Sequence, residues 1–290
     1  MEVIGRIGPF ITQMAERSAD GKRYLISSWR LRHGLHPLRF DERGGIHRPS
    51  ERLALLFIVR PELLTWWVGT LFMIGSLFFT AGSLMILLWS QRYTADTINL
   101  VYFIGSIFFT TAAYGQLLQA INANIATRVG WSAKKKSWRW WARGLQSAGF
   151  MAAGSQFIGT ILFNINTFDA WHGAESAIGK HLFIWAPNMM GSVLFMISSF
   201  FAWIEIYRDD FVKPFRSLAW WAVWSNILGS IFFQISAIYA WISPLTGEEA
   251  NGHLSIVFTL LGAICFFLGA YISNLQLKEN EKQMDTDQNL

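Results

Sequence analysis

The side chains able to do chemistry are few. Asp169, His172 and Glu175 stand at i, i+3 and i+6, with His181 and His253 further on. Carboxylate and imidazole together can hold a divalent metal. This spacing matches no metal motif, so the expectation is no metal and no cofactor. No G-x-S-x-G, H-E-x-x-H or phosphate loop occurs, so no catalytic residue is assigned. More informative are five carboxamides within apolar surroundings: Gln156, Asn164, Asn188, Asn226 and Gln234. An amide facing lipid tails leaves donors unsatisfied at several kcal/mol. These five are therefore expected to face one another or water, as interhelical links, a ligand site or a polar pathway.

The elements that position them follow from a recurring five-residue pattern. Gly75-Ser76-Leu77-Phe78-Phe79 returns as Gly105-Ser106-Ile107-Phe108-Phe109, then at Gly159, Gly191, Gly229 and Gly262. Each copy lies inside a long apolar run. On a helix, the glycine and the phenylalanine four residues later share one stripe. The glycine lets a neighbouring backbone approach, and the phenylalanine fills the next layer. All six glycines are expected at helix interfaces. Gly159→Leu or Gly229→Leu should overpack the bundle, and Gly69, outside the pattern, should tolerate leucine better. The residues three before each glycine, which include Gln156, Asn188 and Asn226, share that stripe. A second stripe joins the small residue after each glycine to the position four later, and carries Asn164 and Gln234.

The glycines pair at short steps of 30, 32 and 33 residues, separated by steps of 54 and 38. That alternation predicts three helical hairpins with an insertion before the second. The chain has 290 residues, 52% hydrophobic and only 15% charged, well below the roughly 25% charged of soluble domains. Spans are predicted near 62–89, 97–122, 145–168, 182–206, 217–242 and 254–277, each long enough to cross a hydrocarbon core of about 30 Å. The fold class predicted is all-α, a polytopic membrane protein of six helices.

Charge sets the expected orientation. Residues 1–61 carry 11 Arg or Lys, and the remaining segments on that side bring the total to 22, against Arg92 and Lys180 on the other. Both termini are expected in the cytoplasm of a bacterial inner-membrane protein. Nucleic acid is not an expected partner, since the basic residues serve topology. Asp96, Asp169 and Glu205 sit near span ends, and a coupled pump usually needs an ionisable group deeper inside.

The organisation predicted is a basic, amphipathic N-terminal segment (1–61), hairpin one (62–122), a basic Trp-rich insertion (123–144), hairpin two (145–206), hairpin three (207–277) and a polar tail (278–290). In the first segment, Lys22 to Phe40 interleaves Arg30, Arg32, His33, His36 and Arg39 with Trp29, Leu31, Leu35, Leu38 and Phe40, which suits a surface facing anionic lipids. Lys134, Lys135 and Lys136 among four tryptophans suit an inner-leaflet or partner-docking segment. Ser50-Glu51 could cap a short helix, and Tyr207 to Asp210 reads as a charged turn. The tail is expected to be disordered. Glu248 and Glu249 are expected in a solvated outer loop, and Cys265 lies alone in the last span.

The first hairpin resembles the YrhK-like domain, a two-span unit with an apolar-Gly-Ser-apolar-Phe core in each span. Phe72 to Phe79 and Tyr102 to Phe109, leading to Gln116–Ile121, carry the resemblance. It spans about 50 residues, and hairpins two and three follow it more loosely. In place of an Arg-rich exit stand Asn122, Asn124 and Arg128. The family implies a bacterial membrane protein and assigns no activity or functional residue. The expected function is therefore a non-enzymatic membrane protein: a scaffold, an accessory subunit or a lipid binder, alone, as a homo-oligomer or with a membrane-protein partner. A channel or facilitator for a small polar solute comes next, and an intramembrane enzyme third.

Overall fold

The computed structural model describes residues 2–17, 21–40, 59–123, 138–141, 147–173, 176–207 and 217–288, with the backbone alone for 279–288. The charged 123–144 insertion from 124 to 137, the Ser50-Glu51 cap, the 208–216 turn and Glu175 lie outside the described residues. Six helices long and apolar enough to cross a membrane dominate. They are α2 (Leu64–Trp89), α3 (Ala95–Asn122), α4 (Ala148–His172), α6 (Ala186–Ile206), α7 (Leu218–Tyr239) and α8 (Gly252–Gln288). A one-turn α5 (Ala177–Gly179) and a π-helical turn (Lys180–Trp185) lead into α6. The expected spans hold to within a few residues, except that α4 and α8 end further out, at His172 and Gln288, and α6 starts further in, at Ala186.

Their ends follow from local chemistry. Thr94, Ser147 and Ser217 accept hydrogen bonds from the backbone N–H groups of Thr97, Phe150 and Trp220, capping α3, α4 and α7. Gly173, at a φ of 77° that only glycine takes cheaply, ends α4. The π turn has a cause two residues downstream. Pro187 has no N–H to give the carbonyl four residues back, and its ring would clash there. Widening the preceding turn relieves the clash, and within that turn the Ile184 carbonyl accepts from Asn166 Nδ2 at 2.6 Å.

The helices form a closed ring in chain order: α2, α3, α4, α6, α7, α8, and back to α2. Packing is tightest within α2–α3, α4–α6 and α7–α8, so the ring is three hairpins. Each hairpin is built the same way. A Cβ placed on Gly75 would meet the Gly105 carbonyl at 3.0 Å, and one on Gly105 the Gly75 carbonyl at 3.2 Å. Gly159 and Gly191 face each other likewise, as do Gly229 and Gly262. Each motif phenylalanine lies over its partner helix's glycine, Phe109 on Gly75 and Phe79 on Gly105, and so on round the ring.

The remaining pattern positions also have fixed directions. The residue after each glycine, Ser76, Ser106, Thr160, Ser192, Ser230 or Ala263, is buried. Ser106 bonds Thr167 of the next hairpin, Ser192 bonds Gln234, and Ser230 bonds Ser199. The aliphatic residue after that, Leu77, Ile107, Ile161, Val193, Ile231 or Ile264, is exposed on the outside of the ring. The six phenylalanines, Phe79, Phe109, Phe163, Phe195, Phe233 and Phe266, all point to the axis and are buried there. Phe79, Phe163 and Phe233 touch one another, with centroids 5.7 to 6.4 Å apart. Phe266 contacts Phe109 and Phe195 in a second layer.

Gly69 behaves unlike its expectation. A Cβ there would overlap the Asn274 carboxamide on α8, because ring closure brings α2 and α8 together at that level. Asn274 also donates to Thr70. Within the ring helices, a glycine with open space is Gly154, which has nothing within 4 Å of a built Cβ.

The chain before α2 differs most from expectation. It folds as a four-stranded antiparallel meander, β1 (Glu2–Ile7), β2 (Phe10–Arg17), β3 (Arg23–Ser27) and β4 (Leu38–Arg39), with α1 (Ser28–Arg32) between the last two strands. Gly8-Pro9 forms the two-residue β1–β2 loop, with Gly8 at φ 56°. Instead of lying along a lipid surface, Trp29, Arg32, His33, Leu35 and Leu38 are buried. Over residues 278–288 the tail is helical where disorder was expected, since α8 continues to Gln288. Lys, Glu, Gln and Met are good helix formers, and extending an existing helix needs no new nucleus.

Candidate functional site

The N-terminal unit docks on one end of the ring, where α2, α4 and α7 begin, α3 and α6 end and α8 passes by on its way to Gln288. Its anchor is a buried ion pair: Arg32 Nη2 donates to Glu205 Oε2 of α6 at 2.7 Å, with side chains 2% and 1% exposed. Removing two charges from water is unfavourable unless each has a partner. Gly149 on α4 makes the pair fit, because a Cβ there would collide with Glu205 and come within 3.1 Å of Arg32 Nε. Around the pair, Thr65 Oγ1 donates to the His33 carbonyl at 2.9 Å and accepts from Gln119 Nε2 at 2.7 Å. Trp29 packs with Ile206 and Val223 and donates Nε1–H to Gln276 of α8. The Arg32 guanidinium also lies 5.0 Å over the Trp29 ring.

His33 stacks on Trp29 with centroids 4.1 Å apart, and its Nδ1 bonds the Trp29 carbonyl at 2.9 Å. Burial, aided by the neighbouring Arg32 charge, lowers its pKa from 6.5 to about 3. The folded ring therefore stays neutral where the unfolded one takes a proton. Stability from this site is constant above the unfolded pKa and falls as pH drops from about 6.5 toward 3. Protection factors of the α1 amides, corrected for the intrinsic pH dependence of exchange, should fall over that window, and His33→Phe, which keeps the stack and cannot titrate, should flatten the slope. Equal pH dependence in the two proteins would contradict the assignment.

Between this cap and the phenylalanine layers lies a cavity of about 60 Å³. It sits on the ring axis. Three of its walls come from corresponding places in the hairpins: Phe72, Gln156 and Asn226, three residues before the glycines of α2, α4 and α7. Three more are Gln116, Ala202 and Ser273, eleven after the glycines of α3, α6 and α8. Trp29, Arg32 and His33 cover it from the cap. Phe266 forms its floor against the aromatic layers.

Of the five carboxamides, the structure brings two into this cavity. The Gln156 Oε1 accepts from Ser198 at 2.8 Å, and the Asn226 backbone carbonyl accepts from Ser199 and Ser230. The others lie apart. Gln234 bonds Ser192 and its Nε2 reaches the Met189 sulfur. Asn164 is half-buried with Oδ1 unpartnered, and Asn188 is half-buried near the far end of α6. No continuous amide path joins the five.

At that far end, Asp169 accepts the Gly173 N–H through its backbone carbonyl, and His172 stacks on Phe168 at 4.2 Å. His181 bonds the Ile242 carbonyl at 2.6 Å. Among the described residues, no three His, Cys, Asp or Glu side chains gather to hold a metal. Glu249 is not fully solvated: burial raises its pKa, and Lys180 partly offsets this.

Sequence reasoning missed Arg32, Glu205, Gln116 and the cap. One signal pointed that way: Glu205, an acid at the end of an apolar run, requires a cation, and Arg32 sits among apolar residues able to bury one. Compared with family models, with curated proteins and with solved structures, the chain matches none.

Proposed function

We propose that this chain is a non-enzymatic membrane protein of the bacterial inner membrane that works as a scaffold, accessory subunit or lipid binder. The observation behind this reading is the double layer of six phenylalanines filling the axis at mid-depth. A ring sealed by packed aromatics gives solutes no wetted route, since apolar constrictions dewet. Its six outward aliphatic positions offer a continuous apolar surface to lipid or to a partner's helices. In proteoliposomes, water, glycerol and urea should enter no faster than through protein-free bilayers. Swelling above that baseline would favour the second reading, a facilitator for small polar solutes, for which the polar cavity below the aromatic layers speaks. In that case Asn226→Leu should reduce flux with the fold retained.

Orientation and ancestry belong to the same proposal. The 22-to-2 excess of basic residues supports cytoplasmic termini. With Cys265 replaced, Lys135→Cys and Lys213→Cys should react only with reagents inside the cell and Glu248→Cys only with those outside. Reaction of position 135 from outside would reverse the topology. The shared glycine and phenylalanine contacts of the three hairpins support an origin by triplication of one two-span unit, of the YrhK-like kind.

A further inference from the structure

The cavity under the cap has a chemistry of its own. Arg32 is buried, yet its Nε and Nη1 find no hydrogen-bond partner. In the same lining, the buried Oε1 of Gln116 also lacks one. Buried donors and acceptors left unpaired are costly and are seldom tolerated without a purpose. The charge of Arg32, which lines the cavity, is neutralised by its ion pair with Glu205, and the His33 ring carries none. An anion placed here would add an uncompensated charge to a poorly solvated site whose guanidinium is already paired, and a cation would face that guanidinium. Neither charge fits. A neutral molecule with both an acceptor and a donor does. Its oxygen accepts from Arg32, and its N–H or O–H donates to Gln116. At about 15 Å³ per water-sized position, the volume suits roughly four heavy atoms.

We infer that the axial cavity beneath α1 is a binding site for a small neutral hydrogen-bonding solute of the carboxamide class. The site is assembled jointly from the N-terminal cap and the ring. Binding there favours the docked cap, because a ligand held by both parts stabilises only the state in which they meet. This does not depend on whether the ring conducts, since it concerns equilibrium occupancy.

The test uses the full chain in detergent micelles and three probes of equal heavy-atom count: acetamide, acetate and acetone. Ligand-observed saturation-transfer NMR, with empty micelles as the partition control, would follow each across the roughly millimolar range that ligands so small can reach. Acetamide should give a saturable signal, acetone a much weaker one and acetate none. Gln116→Leu removes the acceptor, and Ser273→Leu fills the cavity from α8, where the Ser273 hydroxyl bonds only its own helix. Each should weaken acetamide binding about tenfold or more, and if either fails to fold the other decides. In the wild type, acetamide should also slow hydrogen exchange in α1. Three results would overturn the inference: no saturable acetamide signal, meaning the groups are served by water alone; acetate binding as well as acetamide; or variants that bind like the wild type.

Discussion

Gly191→Leu should be among the most damaging single changes in the ring. A Cβ at this position would already meet the Phe163 ring at 2.6 and 2.8 Å and the Gly159 carbonyl at 3.0 Å. A backbone carbonyl cannot swing aside as a side chain can, and Phe163 is held between Phe195 and Phe233, with centroids at 5.0 and 5.7 Å. Leucine would therefore push α4 and α6 apart and disturb both aromatic layers. Overpacking costs about 1–3 kcal/mol, and more where the backbone must shift, so the loss should sit at the upper end or beyond. Gly159→Leu and Gly229→Leu should behave similarly. Gly154→Leu, with open space around it, is the matched control. Thermal unfolding in one detergent provides the measurement, and equal midpoints for the position 154 and 191 variants would refute this account of the hairpin.

The second large effect concerns the cap. Glu205→Gln leaves a guanidinium buried without its counter-charge. Breaking a buried pair from one side costs about 3–5 kcal/mol, whereas replacing both partners with apolar groups is often close to neutral. Glu205→Gln and Arg32→Met should each release α1 and β2 from the ring, seen as a loss of hydrogen-exchange protection in Ser28–Arg32. The double change Arg32→Met with Glu205→Met should recover most of that protection. The ring should remain folded throughout, since its packing rests on α2–α8. A double variant as exposed as the singles would mean that the pair contributes more than charge compensation. Retained protection in the singles would mean that Trp29, Ile206 and Val223 hold the cap without it.

The number of spans, their approximate limits and their pairing into hairpins were legible because each depends on local sequence. Apolar length, the Gly-small-aliphatic-x-Phe spacing and the alternation of short and long steps all act within one helix or between neighbours. The inward or outward direction of every pattern position follows from 3.6 residues per turn, and the structure keeps those directions in all three hairpins. What local pattern cannot encode is which distant groups meet. Ring closure decided that Gly69 faces Asn274, 205 positions along, so that a glycine outside the motif is as confined as those within it. It also decided that Gln156 and Asn226 share a cavity with Gln116 while Asn164 and Gln234 do not, because residues three before one glycine and eleven after another reach one level only when antiparallel helices stand side by side. The N-terminal unit was least legible. Its basic and aromatic residues alternate as they would at a lipid surface, and only the presence of Glu205 across 173 positions turns Arg32 from a surface charge into a buried anchor.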